Sequence, residues 1–175
     1  MSSEKISPET FEFMARHEAL FSKHFRDGLD EQTLILKAHL LLEELLRDFC
    51  IRSVPYPNHL RKARLSFNQT VQLARSLCIL SDFVSDWAWS VIEHLNKMRN
   101  LLAHELEPDQ AKFEECRQKI ITAVKNSSNV DYSDSRLNLN ELQGSLCYTV
   151  GAMSAVLEFG IAMNTDEFKA LGDDT

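Results

Sequence analysis

Glycine is scarce in this chain, confined to Gly28, Gly144, Gly151, Gly160 and Gly172. None of these falls in G-x-x-x-x-G-K-[ST] or G-x-G-x-x-G spacing, which excludes the loops that cradle nucleotide phosphates on backbone N–H groups. The G-x-S-x-G elbow of hydrolases and the H-E-x-x-H signature of zinc proteases are also missing. Long apolar runs are lacking too: Leu40-Leu41-Leu42 meets Glu43 and Glu44 at once. No unbroken stretch reaches the roughly 20 apolar residues that span a bilayer. The opening Met1-Ser2-Ser3-Glu4-Lys5 does not have the basic-then-apolar layout of a secretion signal. A cytoplasmic protein without a membrane partner is the expectation.

The four cysteines, Cys50, Cys78, Cys116 and Cys147, lie far apart, with no pair at the close spacing of a zinc knuckle or redox motif. Each sits in an apolar stretch, so buried, reduced thiols are expected. The six histidines are equally dispersed. No structural metal and no cofactor are expected. Glu43 and Glu44 adjoin in sequence and would point about 100° apart on a helix. They read as a solvated rim rather than a catalytic pair.

The formal net charge is −7, which on average disfavours a polyanionic partner. That average hides an asymmetry. From Cys50 to Ser81 there is no acidic residue, while Arg52, Arg61, Lys62, Arg64 and Arg75 are all basic. Acid gathers instead at Glu105, Glu107, Asp109, Glu114 and Glu115, and at Asp173 and Asp174. The basic stretch is either a solvated loop and helix face or a phosphate-binding surface.

What the chain does have is helical periodicity, over a length that suits one domain, residues 1–175. Ser7 before Pro8 predicts a helix start, and that helix runs to about Phe25 with Phe11, Met14, Leu20, Phe21 and Phe25 near one face. Gly28 closes it. A second helix, roughly Asp30 to Arg52, is apolar over more than one stripe (Leu34, Ala38, Leu41, Leu42, Leu45, Phe49, Ile51) and is expected at the centre of the fold. Pro55 and Pro57 force a loop. Ser66-Phe67-Asn68-Gln69 reads as a capping box for a helix through Leu77.

The next helix begins near Asp82 and ends before Pro108, with a core stripe of Ala88, Val91, Leu95, Met98 and Leu102. Another helix follows from about Asp109 to Lys125. The polar segment Asn126 to Asn140 is expected to be a loop. A last helix, about 142–163, carries the small residues Gly151, Ala152, Ser154, Ala155 and Gly160 that permit close helix approach. The fold class is therefore all-α, a bundle of five or six helices.

One constellation invites chemistry. Glu93, Asn96, Asn100 and His104 follow at steps of three, four and four, which sets a polar stripe beside the apolar one. Arg99 adjoins Asn100. Arg99 and His104 would lie about 140° apart on an ideal helix, so they converge only if the helix loosens near His104 or a second copy completes the site. Imidazole titrates near neutral pH and can move a proton from an RNA 2′-hydroxyl. Guanidinium can hold a phosphate through two hydrogen bonds and stabilise charge growing in a transition state. The bland alternative pairs Arg99 with Glu93 or Glu105 and leaves His104 as a helix end.

The run Arg99-Asn100-Leu101-Leu102-Ala103-His104 resembles the R-x4-6-H motif of the HEPN superfamily, which has toxin-like and mannitol-operon-repressor-like members, including the asparagine common after the arginine. Its setting, ending a long helix before Pro108, is similar as well. The likeness covers roughly Gln32 to Glu107, and a HEPN-like core of about 30–125 is the expectation. The resemblance implies a homodimer that brings two motif copies into one cleft, as in metal-independent endoribonucleases of toxin–antitoxin and phage-defence systems. It assigns Arg99 to the phosphate, His104 to proton transfer and Asn100 to a supporting polar role. Arg61, Lys62, Arg64 and Arg75 would bind the RNA, and an antitoxin or regulatory protein would be a further partner. Where some toxins continue H-x-Y, this chain reads His104-Glu105-Leu106. Other relatives lack established nuclease activity, so a non-catalytic helical dimer acting as a regulatory or interaction module is the alternative.

Overall fold

The structure is a computed structural model, and it describes the backbone of residues 8–25, 28–80, 85–104, 106–127 and 140–172. Side chains are described within these for 15–25, 28–80, 86–104, 106–127 and 140–163. Among the described residues there are seven helices and no strand: α1 Pro8–His24, α2 Glu31–Arg52, α3 Pro57–Lys62, α4 Phe67–Leu77, α5 Ser85–His104, α6 Gln110–Ser127 and α7 Glu141–Gly172. The all-α class is thus observed, with more helices than the five or six expected. The expected helix start near Asp82, and most of the expected loop at 126–140, lie outside the described residues. So do the side chains of Phe11 and Met14.

The additional helix is α3, inside the stretch where Pro55 and Pro57 predict a loop. Proline forbids helix interior but suits the first turn, where its missing N–H has no intrahelical acceptor. Pro57 occupies that first turn, and Arg61 and Lys62 sit in the last, where the helix dipole favours positive charge. Helix α4 starts as its sequence predicts. Ser66 Oγ accepts from the Gln69 backbone N–H, and the Gln69 side chain accepts from the Ser66 N–H in return. Asp30 caps α2 by accepting from the Thr33 N–H at 2.9 Å and the Thr33 hydroxyl at 2.6 Å. Those bonds hold its carboxyl below the usual range, the hydroxyl contributing most.

Helix α2 is the central element. Leu34, Ile35, Ala38, Leu42, Leu46 and Phe49 are fully buried, and the helix packs against α1, α3, α4, α5 and α7. The expected stripe of α5 is also found: Ala88, Val91, Leu95 and Met98 are buried and Leu102 is partly so. Trp89 and Ile92 are buried as well, because α5 is covered on one side by α2 and on another by α6. Cys50, Cys78 and Cys116 are buried, while Cys147 is half-buried. Burial pushes the Cys50 thiol up to about 12 and the Cys147 thiol up to about 11.

Helix α7 departs from the reading of unbroken apolar runs. By length and composition Glu141–Met163 is apolar enough to cross a membrane, with mean hydropathy 1.5. Its Gly, Ala, Ser and Thr interrupt the large side chains without adding charge, so a search for runs passes over it. Here Leu142, Leu146, Val150, Met153 and Leu157 are buried, and the helix lies against α1, α2 and α6.

The small residues of α7 are not equivalent. A Cβ on Gly160 would stand 3.3 Å from Phe49 Cε2, whereas a Cβ on Gly151 would meet nothing within 4 Å. Gly160→Val should therefore destabilise by about 1–3 kcal/mol through overpacking. Gly151→Ala should stabilise by about 0.5–1 kcal/mol, since only helix propensity changes. Urea denaturation of the two variants reads both signs. Equal effects at the two glycines would contradict the close approach of α7 to α2.

Candidate functional site

Helix α5 remains regular through His104, so nothing in its backbone draws Arg99 and His104 together. The residues of the polar stripe read from the sequence meet different neighbours. Asn96 turns toward α2, where its Oδ1 lies 3.2 Å from Nε2 of the buried His39. With that oxygen as acceptor, His39 carries its proton on Nε2. The His39 ring also lies against Phe67, centroids 4.1 Å apart, and its Nδ1 is 3.9 Å from a Glu43 oxygen.

Burial lowers the His39 pKa, and the positive charge of Arg99 acts in the same direction; the Asn96 bond and Glu43 oppose them. A base whose folded pKa lies below its unfolded value binds fewer protons when folded. Stability is then full above the unfolded value of about 6.5 and falls as the pH drops below it. His39→Gln, which keeps an amide donor near Asn96, should flatten the decline in melting temperature between about pH 7 and pH 5 relative to the native chain. An unchanged slope in thermal melts across that range would show that His39 does not govern it.

Arg99 is half-buried and donates from Nη1 to Asn100 Oδ1 at 3.1 Å. Among the described residues it has no carboxylate partner, and Glu93 is exposed; Glu105 lies outside the described residues. Asn100 links two regions. It accepts from Arg99, and it also lines an open groove of about 540 Å³ between α5 and α6. His104, exposed at the end of α5, lines the same groove, and Arg99 does not. The structure thus brings Asn100 and His104 together and leaves Arg99 on the neighbouring side.

The basic candidates stand elsewhere. Arg61 and Lys62 are exposed on α3, and Arg64 is exposed just after it. The segment is anchored by Leu60 and Phe67 against the core, and by Arg47, which donates to the Leu65 carbonyl at 2.9 Å. Arg75 is held by Asp86, 2.7 Å away. Both side chains of that pair are substantially exposed.

The groove contains residues that the sequence reading passed over. His94 and Lys97 reach it from α5 beside the expected His104, and Lys112, Glu115 and Lys119 reach it from α6. The signal was present: His94, Lys97, Leu101 and His104 follow at steps of three, four and three. On α6 the surrounding acidic residues masked the lysines. His94 Nδ1 lies 2.7 Å from the Ser90 carbonyl, which can only accept, so Nδ1 carries a proton and donates it there. Among the described residues no three of His, Cys, Asp and Glu converge as metal ligands. No family model, curated protein or solved structure matches this chain.

Proposed function

We propose that this chain is a HEPN-like, metal-independent endoribonuclease working as a homodimer, with Arg99, Asn100 and His104 as its reacting set. One observation carries the reading: at the end of a single helix, a guanidinium bonded to a neutral amide precedes an exposed imidazole by five residues. In the proposed reaction His104 takes the proton of an RNA 2′-hydroxyl. The 2′-oxygen attacks the adjacent phosphorus while the bond to the 5′-oxygen breaks, and that oxygen leaves with a proton from imidazolium or water. Arg99 stabilises the charge on the non-bridging oxygens. Because Arg99 and His104 face different sides of α5, the complete site draws its arginine from one copy and its histidine from the other. The setting that accompanies this reading is a cytoplasmic toxin–antitoxin or phage-defence system. Its partners would be RNA and an antitoxin, with Arg61, Lys62 and Arg64 as a further RNA-contacting surface.

The net charge of −7 favours a second reading, a non-catalytic helical dimer that serves regulation or protein interaction. Incubation with RNA in excess chelator decides between them. Cleavage is expected to persist, with 2′,3′-cyclic phosphate and 5′-hydroxyl ends identified by end-labelling. Dependence on a divalent metal, or products with 3′-hydroxyl ends, would defeat the mechanism. A dimer by light scattering that leaves RNA intact would favour the second reading.

A further inference from the structure

The groove that ends at His104 does not end there on the other side. Past His94 it continues along the same two helices into a space of about 420 Å³ lined by Ser90, Gln118, Thr122 and Asn126, among others. His94, Glu115 and Lys119 belong to both parts. From Ser90 to His104 the channel follows α5 for roughly 20 Å at 1.5 Å per residue, enough for several nucleotides of an extended strand.

Its charge runs against that of the chain. Lys97, Lys112 and Lys119 line it together with Glu115, with Asp109 beside Lys112, in a protein of net charge −7. Lys97 is exposed and makes no close ion pair among the described residues, although its charge acts on Glu115. Lys112 pairs with Asp109 at 3.2 Å, and Lys119 with Glu115. All four side chains of these pairs are substantially exposed. Ion pairs of that kind contribute little, so an incoming phosphate can replace either carboxylate. Asn100 and His94 add further hydrogen-bonding groups, and Leu101 and Cys116 give the groove an apolar patch. Among the described residues no large apolar side chain of α5 or α6 is exposed, while Leu106 in the connection between them is.

We propose that this α5/α6 groove is the track for single-stranded RNA, with Lys97, Lys112 and Lys119 contacting successive phosphates and leading the strand to His104. The inference rests on the ribonuclease reading for the fate of the strand, and it assigns binding to residues outside the reacting set. It predicts that affinity and chemistry separate.

The test uses the full chain and a 2′-O-methyl oligouridylate, which offers phosphates without the attacking hydroxyl. The variant is Lys97→Gln/Lys112→Gln/Lys119→Gln. The slope of log affinity against log salt should become shallower by roughly 0.7 for each lysine removed, about 2 in all. The matching triple arginine variant should retain the native slope. An unchanged slope in the glutamine variant, with the native helical circular dichroism, would overturn the proposal. A native chain that shows no salt-dependent binding would overturn it too. Cleavage of unmodified RNA is measured separately, so the two ideas fail separately. Cleavage by the native chain with no effect of the lysines removes the track and leaves the ribonuclease reading. Lysine-dependent binding without cleavage removes the ribonuclease reading and leaves the track.

Discussion

Arg99→Ala and His104→Ala are each expected to reduce RNA cleavage roughly a hundred- to ten-thousand-fold, and mixing the two inactive proteins should restore part of the activity. The reason is the regularity of α5. The helix continues through His104, so the two side chains keep their separation of about 140° around the axis. His104 faces the groove against α6, while Arg99 lies on the side where its charge reaches His39 of α2. A site using both must combine copies. In a mixed dimer, the subunit lacking arginine still supplies His104 and the other still supplies Arg99, so one of the two sites is intact. With free exchange half the dimers are mixed, and about a quarter of native activity should return by symmetry. Neither residue is fully buried, so truncation should leave helical circular dichroism and melting temperature close to native. A mixture that stays inactive although its subunits exchange would refute the composite site. Full activity in either single variant would refute the reaction itself.

A different region sets the largest expected change in stability. Phe49 is fully buried on α2, and its ring lies against Gly160 of α7. Phe49→Ala removes that ring from the junction of the two longest helices. Glycine has no side chain that could move in from α7, so the hole should remain largely open. The cost for such a phenylalanine is about 3–5 kcal/mol. For a chain of this length each kcal/mol lowers the melting temperature by about 2–4 °C, giving a fall on the order of 10 °C. Differential scanning calorimetry measures it directly. A loss below about 1 kcal/mol would mean that α7 does not dock on Phe49.

The helices were legible where local rules suffice. Ser66 and Gln69 announce α4 because capping needs only a hydroxyl, an amide and a spacing of three. The stripe from Ala88 to Met98 announces a core face because apolar residues at steps of three and four must share one side. Local rules failed at α3, where the same proline that ends one helix can begin another. At α7 the expected helix is present, but the search for unbroken runs missed its overall apolar character, which is spread among small residues.

The candidate site divides along the same line. Its sequence determined that Arg99, Asn100 and His104 stand near the end of one helix, since helical spacing is a local property and Pro108 stops the pattern soon afterwards. It also determined that Asn96 and Asn100 share a side, being one turn apart. Only the tertiary structure decided what those side chains meet. Packing of α2 against α5 turned Asn96 inward to the buried His39, and packing of α6 against α5 made a groove of Asn100 and His104. A second group of basic residues comes together for the same reason. Lys97, Lys112 and Lys119 are scattered in sequence among acidic residues, so a count along the chain shows no cluster. They face one groove because α5 and α6 pack side by side, and electrostatic attraction depends on distance in space rather than on separation along the chain.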